Sequence, residues 1–317
     1  MKIIILDKID NSAIDMFKES FETDVKTGLS EQEIIDIINP YDAVVVRSAT
    51  KITKKIIDAA PNLKLIGRGG TGVDSIDIKA ATEKNIAVMN TPTSNCISVT
   101  EYVIGLMIGA SRNIIFANNK LKENIWAKKE SKGYELKDKT LGIIGFGNIG
   151  KEVCKRAIAF DMTVLTYDPF IDNEIVKSFG AKKMEIDEII TNSDYITLHI
   201  PLIDATKNLI DSKKLESMKK NAILINCARG GTVDEDALYT ALKNNSIKGA
   251  ALDVFANEPL KNSKLCELNN IILTPHIAGS THEAQARCGT DLVKQFLYFF
   301  NNEYKNILNL KDIKLGD

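Results

Sequence analysis

Residues 141–150 read Leu141-Gly142-Ile143-Ile144-Gly145-Phe146-Gly147-Asn148-Ile149-Gly150, and this stretch decides the fold. An apolar run of strand type leads into a G-x-G-x-x-G string. The residues that follow, through Phe160, carry apolar groups at helical spacing. A lone glycine string arises by chance. With a strand before it and a helix behind it, it reads as a phosphate-binding turn. Gly145 permits the tight turn, Gly147 lets a pyrophosphate approach the backbone, and Gly150 lets helix and strand pack closely. The helix N-terminus offers free N–H groups and partial positive charge. Asp168, after the next strand (Thr163–Tyr167), stands at the separation expected of a ribose-binding acid. No arginine adjoins it in Tyr167-Asp168-Pro169-Phe170, which favours NAD over NADP because a carboxylate repels a 2′-phosphate. Taken alone, Asp168 also fits a solvated turn before proline.

The βα rhythm extends in both directions. Upstream, strands are expected at Lys2–Leu6, Asp42–Val46, Leu63–Ile66 and Ile86–Met89, with helices at Ser12–Glu19 and Thr53–Ala59. One long helix is expected over Ser98–Asn118, with Val99, Val103, Leu106, Met107 and Ala110 on one face. Residues 120–139 read as a short helix and a surface connection. Downstream, strands are expected at Tyr195–His199, Ala222–Asn226, Ala250–Val254 and Ile271–Thr274, and a final helix at Glu283–Asn301. Apolar strands separated by helices imply parallel sheets covered on both faces. The expected fold is α/β with two doubly wound parallel-sheet domains. A Rossmann NAD-binding domain spans 98–290. A flavodoxin-like substrate domain spans 1–97 plus 291–317, made discontinuous by the returning final helix, with a cleft between the two.

The 317 residues carry 41 basic and 42 acidic side chains, a net charge of −1. Such a balance provides no broad field for nucleic acid or an anionic membrane, and neither is expected as a partner. No segment has the length and apolarity of a bilayer span. The start, Met1–Asp7, does not read as a signal peptide, because its apolar run is short and an acid follows it. Cys96, Cys154, Cys227, Cys266 and Cys288 are scattered, with no C-x-x-C pair. That pattern reads as reduced thiols and a cytoplasmic location. No cluster has metal-ligand spacing, so no metal is expected.

Three strand-end segments carry unusual polar residues: Asn226-Cys227-Ala228-Arg229-Gly230-Gly231, Asp253-Val254-Phe255-Ala256-Asn257-Glu258-Pro259, and Thr274-Pro275-His276-Ile277-Ala278-Gly279. In open α/β sheets, ligands sit beyond the carboxyl ends of strands, so all three could line one site. Oxidising a 2-hydroxy acid needs a base for the hydroxyl proton, a cation for the carboxylate and a hydride acceptor. His276 suits the base. Glu258 suits a partner that fixes the imidazole tautomer, and Arg229 a bidentate carboxylate fork. Singly, each has an ordinary explanation: a surface ion pair, an acid before proline, a capping histidine. Their joint occurrence downstream of a cofactor turn favours the catalytic reading. His199 reads as structural at the edge of the cofactor site, His282 as a surface residue, and Cys227 as a small buried filler.

Over nearly its whole length the sequence resembles the D-isomer-specific 2-hydroxyacid dehydrogenase family. The matching stretches are Val46-Arg47-Ser48-Ala49-Thr50, Gly67–Asp74, Met89-Asn90-Thr91-Pro92, Gly145–Gly150, Asn226–Asp234, Ala250–Phe255 and Ala278–Glu283. The resemblance implies Arg229, Glu258 and His276 as the catalytic set. It implies NAD contacts at Thr71, Asn148, Ile149, Asp168, the backbone at Ile200, Cys227, Ala228, Arg229, Asp253, His276, Ala278 and Gly279. It implies a homodimer or higher oligomer held through the 98–139 region. The family's loop usually has alanine where Gly69 stands here. Some members carry a further C-terminal regulatory domain that binds serine; after Asp317 none is expected, nor regulation through one.

Arg47 and Arg68 each follow an apolar strand of the first domain. They suit a substrate phosphate, with Gly70, Thr71 and Gly72 offering amides to the carboxylate beside Arg229 and His276. With these arginines, the resemblance implies 3-phospho-D-glycerate as the substrate, oxidised to 3-phosphohydroxypyruvate at the entry to phosphorylated serine synthesis. Two alternatives stay open: another member of the class acting on glyoxylate, hydroxypyruvate or D-lactate, and a non-enzymatic dinucleotide-sensing scaffold like the corepressors related to this family.

Overall fold

A computed structural model of the chain describes residues 1–315; residues 316 and 317, the end of the expected first domain, lie outside the described residues. The chain divides into two compact units, Met1–Asn95 with Ser280–Asp317, and Cys96–Gly279. The breaks fall after residues 95 and 279, where the sequence reading placed them after 97 and 290. The later break moves because the apolar stripe of helix His282–Phe300 begins in its first turn. Ala284 and Cys288 are buried, and a Cβ on Gly289 would collide with the Ala13 methyl. The whole helix thus belongs to the first unit.

In the first unit, β1 (Lys2–Ile5), β2 (Glu22–Val25), β3 (Ala43–Val46), β4 (Leu65–Arg68) and β5 (Ala87–Asn90) form a parallel sheet in the order β2-β1-β3-β4-β5. This is the flavodoxin-like order. Successive side chains point to opposite faces. Ile4, Val44, Val46, Ile66 and Val88 face one core, while Ile3, Ile5, Val45, Leu65 and Met89 face Leu292, Phe296 and Phe299 of the final helix. The edge strand β2 and the helices Glu31–Ile37 and Ile78–Glu83 were not anticipated. The sequence of β2, Glu-Thr-Asp-Val, has no apolar run, because an edge strand is half solvated. The fourth strand sits two residues later than expected, which puts Arg68 within it.

In the second unit, β6 (Thr140–Ile144), β7 (Thr163–Tyr167), β8 (Lys182–Lys183), β9 (Tyr195–Leu198), β10 (Ile223–Asn226), β11 (Gly249–Leu252) and β12 (Ile271–Leu273) pair in parallel in the order β12-β11-β10-β9-β6-β7-β8. This is a doubly wound Rossmann sheet with one extra strand, and the direction of winding reverses between β6 and β9. The expected pair of doubly wound sheets is therefore found.

The single helix expected over Ser98–Asn118 is two helices, Cys96–Ser111 and Ile114–Lys122, bent by 63°. Asn113 breaks them with a left-handed φ of 51°, which asparagine tolerates better than most residues. Its side-chain amide donates to Lys132 O at 3.1 Å, tying the break to the following segment. Val99, Val103, Leu106 and Met107 are buried as the spacing implies. Among the described residues no single helix is long and apolar enough to cross a membrane.

Candidate active site

The glycine turn lies at the reversal of winding, at the carboxyl end of β6. Gly145 has φ +99°, and a Cβ there would collide with the carbonyl of His199 at the end of β9. A Cβ on Gly150 would strike the Gly145 carbonyl. At Gly147, by contrast, a Cβ would meet nothing within 4 Å. Two glycines thus serve close packing and the middle one leaves open backbone. Gly147 caps helix Asn148–Ala159 without a side-chain bond to the first turn. The N–H groups around Asn148 and Ile149 therefore have no side-chain cap competing for them, and the turn suits a pyrophosphate. Asp168 is fixed beside it: one carboxylate oxygen accepts the Phe146 N–H at 2.8 Å and the other accepts that of Phe170 at 2.9 Å. Each oxygen keeps a lone pair for a ribose hydroxyl. Ile200 closes the other side, its Cγ2 packing toward Gly145. These residues fit a dinucleotide.

The loop after β10 is shaped by Asn226, whose side chain is buried at the strand end. Its amide donates to Arg229 O at 2.9 Å and Thr232 Oγ1 at 3.0 Å, and its oxygen accepts the Ala228 N–H at 3.0 Å. Thr232 Oγ1 donates to Arg229 O at 2.7 Å. The half-buried Arg229 thus stands on a rigid loop, with Nη1 donating to Ala228 O at 2.6 Å. Cys227 is buried, and burial with the nearby Asp253 charge pushes its thiol well up, which keeps it a neutral filler.

The third segment presents His276. Its Nδ1 lies 2.7 Å from Glu258 Oε2. A carboxylate can only accept, so Nδ1 is the donor in this contact and Nε2 takes no part in it. Glu258 Oε1 accepts the Phe255 N–H at 3.0 Å, which fixes the carboxylate at both oxygens. The side chains of His276 and Glu258 are 50% and 35% exposed, so a substrate can reach them. His276 holds a left-handed φ of 54°, an uncommon conformation for a residue that is not glycine. It is held by Asp253, wholly buried after β11, whose carboxylate accepts from Thr274 Oγ1 at 2.6 Å, Ile277 N at 2.9 Å and Ala278 N at 2.8 Å. Both oxygens of Asp253 are engaged by its own chain. These bonds make Asp253 the clamp of the His276 turn. The supporting residues Thr232 and Thr274 were not singled out from the sequence. Thr274 directly follows β12, while Thr232 is a buried hydroxyl six residues beyond the end of β10.

The first unit carries the other expected site residues. Asp7 is buried, and its carboxylate accepts the N–H of Arg47 at 2.6 Å and Thr50 Oγ1 at 2.6 Å, shaping the loop after β3. Arg47 Nη1 donates to Lys8 O at 3.3 Å. Val46 pairs with Arg68 across β3 and β4, so the two arginines leave neighbouring parallel strands at the same end. The Arg68 guanidinium lies over Gly70, which has φ +141°, and a Cβ there would press on the end of the arginine side chain. Gly70 N donates to Thr91 Oγ1 at 2.8 Å and Thr71 Oγ1 to Asn95 Oδ1 at 2.8 Å, anchoring the 70–72 turn. His199 directly follows β9, which ends one residue earlier than expected; its Nε2 lies 3.2 Å from Thr197 Oγ1, and burial pushes its imidazole down to about 3. His282 opens the final helix at the surface.

Comparison with known proteins agrees with this geometry. Residues 104–278 match the family model described as D-isomer specific 2-hydroxyacid dehydrogenase, NAD binding domain. The D-3-phosphoglycerate dehydrogenase of Methanocaldococcus jannaschii is 46% identical, over 100% of this chain and 61% of its own length. The chain thus spans less than two thirds of that relative. The hydroxypyruvate reductase of Thermotoga maritima is 43% identical over 93% of this chain and 96% of its own length. The solved D-lactate dehydrogenase of Aquifex aeolicus, complexed with NAD and lactic acid, superposes with a TM-score of 0.85 at 27% identity, covering 99% of this chain and 97% of that one. With a glycine turn built for a dinucleotide and a histidine paired to a glutamate, the chain belongs to the D-isomer specific 2-hydroxyacid dehydrogenases.

Proposed function

We propose that this chain oxidises 3-phospho-D-glycerate to 3-phosphohydroxypyruvate with NAD, the first step of phosphorylated serine synthesis. The observation that carries the chemistry is the 2.7 Å bond from His276 Nδ1 to Glu258, which leaves Nε2 free for the substrate hydroxyl proton. In this reading Arg229 binds the carboxylate, and Arg47 and Arg68, with the 70–72 turn, take up the phosphate and neighbouring oxygens. NAD, when bound, accepts the hydride from C2; the residues around it hold its phosphates and its ribose. His276 takes the hydroxyl proton as that hydride leaves, and Glu258 stabilises the imidazolium formed.

The test is NADH formation with 3-phospho-D-glycerate, D-glycerate and D-lactate. The phosphorylated acid should be turned over best. His276→Ala should lower kcat by about 10²–10⁴-fold with NAD binding retained. Wild-type turnover in that variant would place the base elsewhere. A second reading, reduction of hydroxypyruvate, is favoured by the Thermotoga relative, which this chain matches over 96% of its length.

Self-association belongs to the same reading. Ile114, Ile115, Leu121, Ile125, Trp126 and Tyr134 are exposed large apolar side chains on one bent segment, and Trp126 is 79% exposed. Exposed apolar groups so close in sequence suit an interaction surface, and a second copy of this chain is the proposed occupant. Light scattering should report a dimer, weakened in Trp126→Lys; a monomer at all concentrations would exclude it. The cysteines among the described residues are all free thiols, in keeping with a reducing, cytoplasmic setting.

A further inference from the structure

Glu258 Oε2 meets His276 and Glu258 Oε1 meets the N–H of Phe255, three residues earlier in the same loop. The aim of the carboxylate at the imidazole is therefore only as fixed as the 255–258 loop. Ala256, Asn257, Glu258 and Pro259 are all exposed, so packing does little to fix them. Two features outside the loop act on the Phe255–Ala256 peptide. On one side Gly230 packs its backbone against it: a Cβ on Gly230 would overlap the Phe255 carbonyl. On the other, Glu235 Oε1 accepts the Ala256 N–H at 2.6 Å. Glu235 is half-buried and opens helix Glu235–Lys243, whose N-cap is Asp234.

We propose that Glu235 is a positioning residue for the reaction: by holding the Phe255–Ala256 peptide against Gly230, it keeps Glu258 aimed at His276. The ordinary explanation for an acid at this place is a favourable charge in the first helical turn. That explanation needs the charge but no particular partner. Here the carboxylate reaches across to a peptide 21 residues downstream, and that peptide adjoins both Gly230, next to Arg229, and the loop bearing Glu258. One clamped peptide thus ties the carboxylate-binding loop to the His–Glu pair. The inference rests on His276 and Glu258 acting as proposed above, but not on which 2-hydroxy acid is the substrate.

Two conservative variants separate the explanations. Glu235→Gln keeps the reach and an oxygen acceptor but removes the charge. Glu235→Asp keeps the charge but is one methylene too short. The readouts are kcat and KM on whichever 2-hydroxy acid the wild type oxidises, and the hydrogen-bonded Nδ1 proton of His276 by NMR on the chain without substrate. In Glu235→Gln both should stay near wild type. In Glu235→Asp, kcat should fall about tenfold or more, with KM for NAD unchanged, and the Nδ1 proton signal should broaden or vanish. The reverse ranking, with Asp near wild type and Gln impaired, would overturn the proposal in favour of a helix charge. So would wild-type behaviour in both. A lost NMR signal in Glu235→Asp alongside inactivity of the wild type on 3-phosphoglycerate would leave the positioning role standing and remove the substrate assignment.

Discussion

Asp253 and His276 are tied through both backbone and side chain. The His276 N–H donates to the main-chain oxygen of Asp253 at 2.8 Å, while the Asp253 carboxylate accepts the N–H groups of Ile277 and Ala278 just beyond it. One buried acid brackets the turn that presents His276.

Asp253→Asn keeps the shape but points an amide N–H group at one of those donors. Leaving a buried donor unsatisfied costs about 1–3 kcal/mol. The variant should melt earlier and lose kcat more than affinity for the acid, because His276 no longer sits in one place. Calorimetry with steady-state kinetics checks this. A variant with wild-type melting and kcat would show that the clamp is dispensable.

Different physics governs what is legible in the residues and what is not. Gly145 and Gly150 announce themselves because a Cβ cannot fit against a neighbouring backbone, and that prohibition leaves a fixed spacing. The buried strands β1, β3 and β5 show as unbroken apolar runs because both faces of a parallel sheet are covered. The likeness of the Arg229, Glu258 and His276 segments to a known family points to one site, yet the bond between Glu258 and His276 spans 18 residues and comes from the pairing of β11 with β12. The break at Asn113 hides within a sequence whose apolar spacing continues through it. The two-residue strand β8, Lys182–Lys183, has no pattern to read. Glu235 looks like any acid at a helix start, because its partner is a backbone N–H, which no side-chain pattern records.

Gly69 and Gly70 should respond oppositely to alanine. Gly69 has no left-handed φ, and a Cβ there would meet Arg47 Cγ at an ordinary 3.4 Å. Gly69→Ala should therefore stabilise the chain by about 0.4–1 kcal/mol, through a less flexible unfolded state. Gly70→Ala forces a side chain into φ +141° and against the Arg68 guanidinium, so it should destabilise and weaken acid binding. Denaturant midpoints for the two variants check this; equal shifts of the same sign would contradict it.

His199 should make stability depend on pH on the acid side. Its Nδ1 is buried without a hydrogen-bond partner among the described residues, and burial pushes the imidazole from 6.5 down to about 3. Between those values the unfolded chain binds a proton that the folded chain does not. Stability present above pH 6.5 is therefore lost as pH falls through the window, by at most about 1.4 kcal/mol per pH unit. Unfolding of wild type and His199→Asn at pH 7 and pH 5 measures the slope. The variant should lose less on acidification; parallel losses would assign the slope to other groups.

Asp168 should set cofactor choice. Its carboxylate is held beside the glycine turn through the Phe146 N–H, where it would repel a 2′-phosphate. Wild-type kcat/KM should favour NAD over NADP. Asp168→Ser should narrow that preference chiefly by raising KM for NAD. Equal constants for the two cofactors in the wild type would remove Asp168 from this role.

The most direct measurement compares kcat/KM for 3-phosphohydroxypyruvate and for hydroxypyruvate, with NADH, in the wild type and in Arg47→Ala. A charged hydrogen bond to phosphate contributes roughly 1.5–3 kcal/mol, or about ten- to a hundredfold in affinity. The wild type should prefer the phosphorylated keto acid by at least that factor. Arg47→Ala should lose most of the preference while its constant for hydroxypyruvate barely changes. A wild type that reduces hydroxypyruvate as well as or better than its phosphorylated counterpart, or an Arg47→Ala variant impaired equally on both, would contradict phosphate recognition and leave hydroxypyruvate reduction as the reading to pursue.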